Sequence, residues 1–254
     1  MNEPAPSLPR VYLFGTCLID VYYPAAGLDA LALLELAGYE VIFPQAQTCC
    51  GQPPYNSGYQ KMAKPIAIAT VELFSDTDLP LIVPSASCAG MIRNHYPTLL
   101  KEYPRLHEKA VALASRTHEI LDFLLDKLPY EQASHRISKP VVHRSCAAHR
   151  EVGVADQWHQ ILQRLPGCTP GLPEGDNECC GFGGTFSIKS PEISAAMTED
   201  KCQALLAENP DRIVTGDCGC LMNIEGHLKH RQSSIPCEHI LSTLARQFGV
   251  HHDA

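Results

Sequence analysis

Positive charge is scarce in this chain. Lysine and arginine together number 20 against 28 aspartates and glutamates, for a formal net charge of −8. A nucleic-acid-binding domain advertises itself by a basic surface, so no nucleic-acid partner is expected. Long apolar runs are missing too: the longest candidate, Leu28 to Phe43, is interrupted by Asp29, Glu35 and Glu40. A membrane-spanning helix needs about 20 predominantly apolar residues, so the chain is not expected to span a membrane. Met1 to Arg10 lacks the charged stretch and apolar stretch of a secretory signal. These absences predict a soluble, cytoplasmic protein.

Familiar catalytic signatures are also lacking. No H-E-x-x-H, P-loop or G-x-S-x-G motif occurs, and Gly181-Phe-Gly-Gly184 does not have the spacing of the dinucleotide fingerprint. The compact C-x₂-C-x₂-C-x₃-C-P run of a ferredoxin is absent as well. Hydride or electron chemistry would therefore depend on something other than a recognisable flavin or nicotinamide site.

What the chain has is cysteine, 12 residues in 254. In a reducing compartment that number points to metal or redox chemistry and not to a disulfide framework. The most informative stretch is Glu178-Cys179-Cys180-Gly181-Phe182-Gly183-Gly184, because Thr48-Cys49-Cys50-Gly51-Gln52 is its earlier twin. Adjacent cysteines do not readily bridge each other, since a relaxed disulfide needs more widely separated α-carbons. They can aim two thiolates at one inorganic centre, and the following glycine lets the backbone come close to it.

The surrounding cysteines repeat with the twins. Cys17 precedes Cys49-Cys50 by 31 intervening residues, and 37 more separate them from Cys88. Cys146 precedes Cys179-Cys180 by 32 residues, with Cys218 and Cys220 following after 37 and 39. Corresponding positions are offset by 129 to 132 residues, which is the signature of a duplicated unit. The chain length and the repeat predict two domains, residues 1–132 and 133–254.

Hydrophobic periodicity places these cysteines. Val11 to Gly15, Tyr39 to Phe43, Leu79 to Val83, Val141 to His143 and Arg212 to Thr215 read as strands. Gly27 to Ala37, Tyr59 to Phe74, Val154 to Leu165 and Pro191 to Glu208 read as helices. Leu106 to Leu128, rich in Ala, Leu, Glu and Lys, reads as one long helix, and Glu238 to Phe248 as a last one. Pro129 to Lys139 reads as a polar link, and His251-His252 as a fraying tail. The alternation predicts an α/β protein of two pseudo-repeated Rossmann-like domains, with mostly parallel sheets and cysteine sites at the strand carboxyl ends. Ligands bind at that edge in open α/β sheets.

Four converging thiolates suit tetrahedral zinc or an iron–sulfur cluster. Zinc sites use close pairs such as C-x₂-C, whereas these ligands lie tens of residues apart, which favours a cluster. The candidate cofactor ligands are Cys17, Cys49, Cys50 and Cys88 in the first half, and Cys146, Cys179, Cys180 and Cys220 in the second. Cys218 is a candidate additional metal ligand. The eight sulfurs are expected to gather into two separate pockets. Cys168, Cys202 and Cys237 are assigned to packing, as buried free cysteines usually are. His143, His149 and Arg150 flank Cys146 and are candidates for tuning a cluster or meeting an anion. Ser85, Ser87 and Asn56 are candidate donors to cluster sulfurs.

The doubled pattern of Cys, Cys-Cys-Gly and a cysteine-containing turn resembles the cysteine-rich CCG domain found in heterodisulfide reductase and in iron–sulfur subunits of glycolate, glycerol-3-phosphate and lactate oxidation systems. Cys17-Leu-Ile-Asp20 with Pro24, Gln47-Thr-Cys-Cys-Gly-Gln-Pro-Pro-Tyr-Asn-Ser-Gly58, Cys179-Cys-Gly-Phe-Gly-Gly-Thr-Phe186 and Asp217-Cys-Gly-Cys-Leu-Met-Asn-Ile224 resemble the lactate utilization protein A family. The resemblance covers nearly the whole chain. It implies a component binding one or two 4Fe-4S clusters in a multi-subunit system that oxidises L-lactate to pyruvate. Its implied partners are the other subunits of that system, including a ferredoxin-type iron–sulfur protein. The wider family closes each unit with C-x-x-C, but Met91 follows Cys88 here, and Asn223 follows Cys220. Zinc in one half, a heterodisulfide reductase-like thiol/disulfide subunit and a non-catalytic metal-binding module are the alternatives.

Overall fold

A computed structural model describes residues 7–134 and 137–252. Among these residues, seven short strands form two sheets. The first contains β1 (Arg10–Leu13), β2 (Glu40–Ile42), β3 (Leu81–Val83) and β4 (Thr117–Glu119), in the order β2-β1-β3-β4. The second contains β5 (Pro140–His143), β6 (Arg212–Thr215) and β7 (Cys237–His239), in that order. Every pairing is parallel. Parallel sheets are covered by helices on both faces, so their strands are apolar throughout instead of alternating. Leu81, Ile82 and Val83 are accordingly all buried, as are Val141, Val142, Ile213 and Val214.

The second sheet repeats the first with one strand worn down. Where the first sheet has β2 beside β1, the second has a single parallel bridge from Val141 to Gly171. The segment there, Pro166-Gly-Cys-Thr-Pro-Gly-Leu-Pro173, carries three prolines, which cannot donate to a ladder. Gly171 is required at the bridge, because a β-carbon would lie 2.9 Å from a methyl of Val141.

Most of the expected elements are present, including the helices Pro24–Leu36, Gln60–Phe74, Ala155–Gln163 and Pro191–Ala207. The long helix expected over Leu106 to Leu128 is not. It is divided into Pro104–Ser115 and Ile120–Leu124 by β4. The open edge of β3 offers unpaired backbone groups, and Leu81 N donates to Arg116 O at 2.9 Å as the pairing begins. Three residues are too few to show a strand period inside an Ala/Leu-rich segment. The last helix is shortened in the same way, to Ile240–Phe248, because Cys237–His239 pairs with β6.

Glu119 and His239 close these two edge strands and cap the helices after them. Glu119 Oε2 accepts from Leu121 N at 3.0 Å and Asp122 N at 3.1 Å; His239 Nδ1 accepts from Leu241 N at 3.2 Å. The tail also departs from expectation. His251 Nδ1 lies 3.0 Å from the fully buried Asp29 carboxylate, which accepts from His252 N at 3.0 Å, so these residues are docked and not frayed. In the segment read as a polar link, Ala133 and Ile137 are buried.

One apolar core runs through both halves. It joins Leu33 and Leu34 of the first to Trp158, Leu241 and Leu244 of the second. Two further cores flank it, one in each half. No helix among the described residues is long and apolar enough to cross a membrane.

Burial drives the His239 imidazole down to about 4, against roughly 6.5 in an unfolded chain. Between those values the unfolded chain binds the extra proton, so this contribution to stability is complete above about pH 6.5 and disappears as pH falls through about 4. His239→Gln keeps an acceptor for the helix cap. On moving from pH 7 to 4.5 the variant should lose about 2 kcal/mol less stability than the wild type in urea unfolding. Equal losses in the two proteins would refute the assignment.

Candidate metal centre

In the first sheet the chain leaves β1 toward one side and enters β3 on the other. The carboxyl ends of β1 and β3 therefore flank a topological switch point, where α/β sheets bind ligands. Cys17 opens the helix that follows β1, Cys49-Cys50 lies in the loop after β2, and Cys88 lies in the short helix Ala86–Gly90 after β3. Cys17 Sγ and Cys49 Sγ are 3.6 Å apart, and Cys50 Sγ and Cys88 Sγ 3.3 Å. The second half reproduces the plan. Cys146 lies beside Cys179, and the Cys180 and Cys220 sulfurs lie within 4.8 Å of each other.

Identical backbone geometry presents the paired cysteines. Gly51 has φ +82° and Gly181 φ +85°, a region open to glycine at little cost. In that conformation Gly51 N donates to Cys49 Sγ at 3.4 Å, and Gly181 N to Cys179 Sγ at 3.4 Å. The carbonyl of the second cysteine is tied down in both halves. Tyr96 Oη donates to Cys50 O at 2.8 Å; Thr198 Oγ1 and Asn223 Nδ2 donate to Cys180 O, each at 2.9 Å. Asn223, at the place where the wider family carries a cysteine, thus holds the paired-cysteine loop. Its counterpart Met91 is fully buried in the core of the first half.

Each facing pair divides its protons unequally. Hydrogen bonds from Cys17 and Cys50 hold the Cys49 thiol down to about 3, and those from Cys146 and Cys180 hold Cys179 to about 2. Cys17 and Cys146 are pushed up correspondingly, by the same hydrogen bonds and then by burial. In each half the arrangement favours the thiolate of the first paired cysteine, the form that binds metals.

All nine candidate cysteines line one cavity of 330 Å³, not the two separate pockets expected. The halves are joined there by Asp217, which is buried at the head of the helix Cys218–His230. Its carboxylate accepts from Ser85 Oγ at 2.5 Å, Ser87 N at 3.1 Å and Ser87 Oγ at 2.9 Å, and also from Ser145 Oγ. Ser85 and Ser87 thus serve Asp217. Cys220 is the structural counterpart of Cys88, each facing the second cysteine of its own pair. Cys218 is raised chiefly by burial and feels Asp217, Cys88 and Cys220, which places it at the seam between the halves.

Cys168, Cys202 and Cys237 do not line the cavity. His149 and Arg150 are engaged elsewhere, His149 Nε2 with Asp176 at 3.0 Å and Arg150 with Asn177 O at 3.2 Å. His143 is different. It is buried, and one ring nitrogen and the Cys180 and Cys220 sulfurs all lie within 4.8 Å of one another. The described residues lining the cavity include Glu151 and Asp217 but no lysine, arginine or histidine. Sequence reasoning missed Asp217, although its register with Ser85 is visible in the repeat. Residues at equivalent positions of two facing repeats meet where the repeats adjoin.

The donor set fits a metal or metal cluster. A family model described as a cysteine-rich domain, CCG, matches residues 11–93 and again 141–225. Lactate utilization protein A 2 of Bacillus cereus (strain 03BB102) is 37% identical over 238 residues, covering 93% of this chain and 98% of that one. Lactate utilization protein A of Geobacillus sp. (strain WCH70) is 40% identical over 243 residues, covering 92% and 98%. A crystal structure of a hypothetical protein from Helicobacter pylori is similar in fold, with a TM-score of 0.64 at 12% identity. It matches 96% of this chain, which spans 50% of its length.

The two loop glycines differ in their surroundings. A β-carbon on Gly181 would lie 2.6 Å from Ser194 O, a backbone atom, whereas on Gly51 its nearest neighbour is a methyl of Ile66 at 3.3 Å. Gly51→Ala should cost about 1–2 kcal/mol for its left-handed conformation, and Gly181→Ala about 3 kcal/mol or more. Denaturant unfolding checks this; equal costs would contradict the geometry.

Proposed function

The chain belongs to the lactate utilization protein A family of cysteine-rich CCG-domain proteins, and from that premise we propose that it is an iron–sulfur electron-transfer component of a system oxidising L-lactate to pyruvate. The observation that carries this reading is the pair of matching cysteine sets opening into one cavity. Oxidising lactate to pyruvate releases two electrons and two protons, and two centres that each take one electron suit that stoichiometry. Iron–sulfur clusters, when bound, supply one-electron storage. In this reading Cys17, Cys49, Cys50 and Cys88 hold one 4Fe-4S cluster, and Cys146, Cys179, Cys180 and Cys220 the other.

The same cavity argues against lactate as its direct occupant. A carboxylate is normally met by arginine, lysine or a cluster of amide donors. The described lining offers acidic side chains and thiols, with side-chain amides only from Gln52 and Asn56 and no cationic group. Lactate is then oxidised on another subunit of an L-lactate dehydrogenase assembly, and a ferredoxin-type partner carries the electrons away. A cytoplasmic site of action belongs to the same proposal.

The sulfur spacing gives zinc a specific claim as a second reading. A tetrahedral metal with bonds of about 2.3 Å sets its sulfurs about 3.8 Å apart, close to the 3.3 and 3.6 Å seen here. A cluster requires the sulfurs to spread, for which the 330 Å³ cavity leaves room.

Anaerobic purification followed by metal analysis separates the two. The cluster reading expects a brown protein with up to eight irons per chain, since each 4Fe-4S cluster holds four. Cys50→Ser and Cys180→Ser should each remove about half of that iron, while Cys168→Ser should leave it unchanged. A colourless protein with stoichiometric zinc would defeat the cluster reading. Deletion of the gene should abolish growth on L-lactate and spare growth on other carbon sources; undiminished growth on lactate would refute the lactate role.

A further inference from the structure

The two cysteine sets are alike in their sulfurs but not in what lies behind them. His143 ends β5, three residues before Cys146; the corresponding position, three residues before Cys17, is Phe14. Both side chains are buried. Phe14 packs against Phe74 with ring centroids 6.0 Å apart, as an apolar residue should. His143 has no such accommodation. Neither Nδ1 nor Nε2 has a hydrogen-bond partner among the described residues. Buried polar groups in native proteins are almost always paired, and an orphaned imidazole calls for a partner of another kind.

The surrounding charged groups do not supply one. Asp176 Oδ2 is engaged by Arg144 and His149, its Oδ1 makes no hydrogen bond to the ring, and Lys201 Nζ donates to Gly175 O at 2.7 Å. What faces the ring is sulfur: a ring nitrogen, Cys180 Sγ and Cys220 Sγ are mutually within 4.8 Å. An unprotonated imidazole nitrogen and thiolates are ligands to the same class of metal ions.

We propose that His143 takes the place of one of the four second-half thiolates as a nitrogen ligand of the metal cluster, so that this centre is held by mixed nitrogen and sulfur donors while the first-half centre, backed by Phe14, is held by sulfur alone. The inference rests on the iron–sulfur reading above and deepens it. A neutral imidazole in place of an anionic thiolate destabilises the oxidised cluster relative to the reduced one, which raises the reduction potential. The second-half centre is then the better electron acceptor, and an electron entering the first-half centre moves to the second, oxidising one and reducing the other. The duplicated unit thereby gains a direction.

The test uses full-length protein carrying ¹⁵N-labelled histidine, isolated anaerobically, reduced with dithionite and examined by pulsed electron paramagnetic resonance. Histidine labelling separates an imidazole from the backbone amides that also surround the sulfurs. The expected result is a histidine nitrogen coupled to a reduced cluster, lost in His143→Phe, which copies the packing of the first half. Potentiometric titration should find two unequal centres, with the higher potential lowered or that centre lost in the variant. Clusters present without any histidine coupling would overturn the inference and leave the electron-transfer reading standing. A wild-type protein without iron would overturn both. A His143→Phe protein that fails to fold does not affect the outcome, because the labelled wild type is decisive by itself.

Discussion

The structure turns on the placement of one carboxylate. Asp217 sits where the two halves adjoin and accepts hydrogen bonds from Ser85 and Ser87 of the first half and Ser145 of the second. A buried carboxylate is tolerated only when its acceptor capacity is filled, so these hydroxyls and the amide are a condition of its burial. Its position fixes the carboxyl edges of both sheets toward one another, and every candidate cysteine follows a strand on one of those edges or the loop beside it. Two CCG units that faced away from each other would hold the same sulfurs in separate sites. Here the sulfurs share a cavity.

That sharing explains which features of the chain were legible in its sequence. The strands leading to Cys17, Cys88, Cys146 and Cys220 were readable because buried parallel strands are short, mostly apolar runs. The paired-cysteine loops were readable because their glycine must adopt positive φ and the motif occurs twice. β4 and β7 were not, since Thr117-His-Glu119 and Cys237-Glu-His239 carry no apolar run and are held in the sheet by their neighbours' open edges. The common cavity was hidden for a related reason: the repeat gives two equivalent units but says nothing about how they dock. Tertiary pairing decides both matters, and neither has a local signature.

Departures from the repeat are as informative as the repeat itself. Met91 and Asn223 stand at equivalent positions, yet one fills a core and the other ties the Cys180 carbonyl. Phe14 and His143 are equivalent as well, one satisfied by aromatic packing and the other facing thiols. Glu119 and His239 both cap helices after edge strands, with opposite charge chemistry. Duplication supplied two sites of one shape, and the changes at these positions made their environments unequal. A two-centre electron carrier gains from such inequality, because identical centres give no preferred direction of transfer.

The most direct measurement is anomalous scattering at the iron absorption edge from crystals grown without oxygen. Two iron positions within the single cavity are predicted, one among Cys17, Cys49, Cys50 and Cys88 and one among Cys146, Cys179, Cys180 and Cys220. Zinc at either place, or sulfurs with no metal between them in protein that was never exposed to air, would contradict the reading.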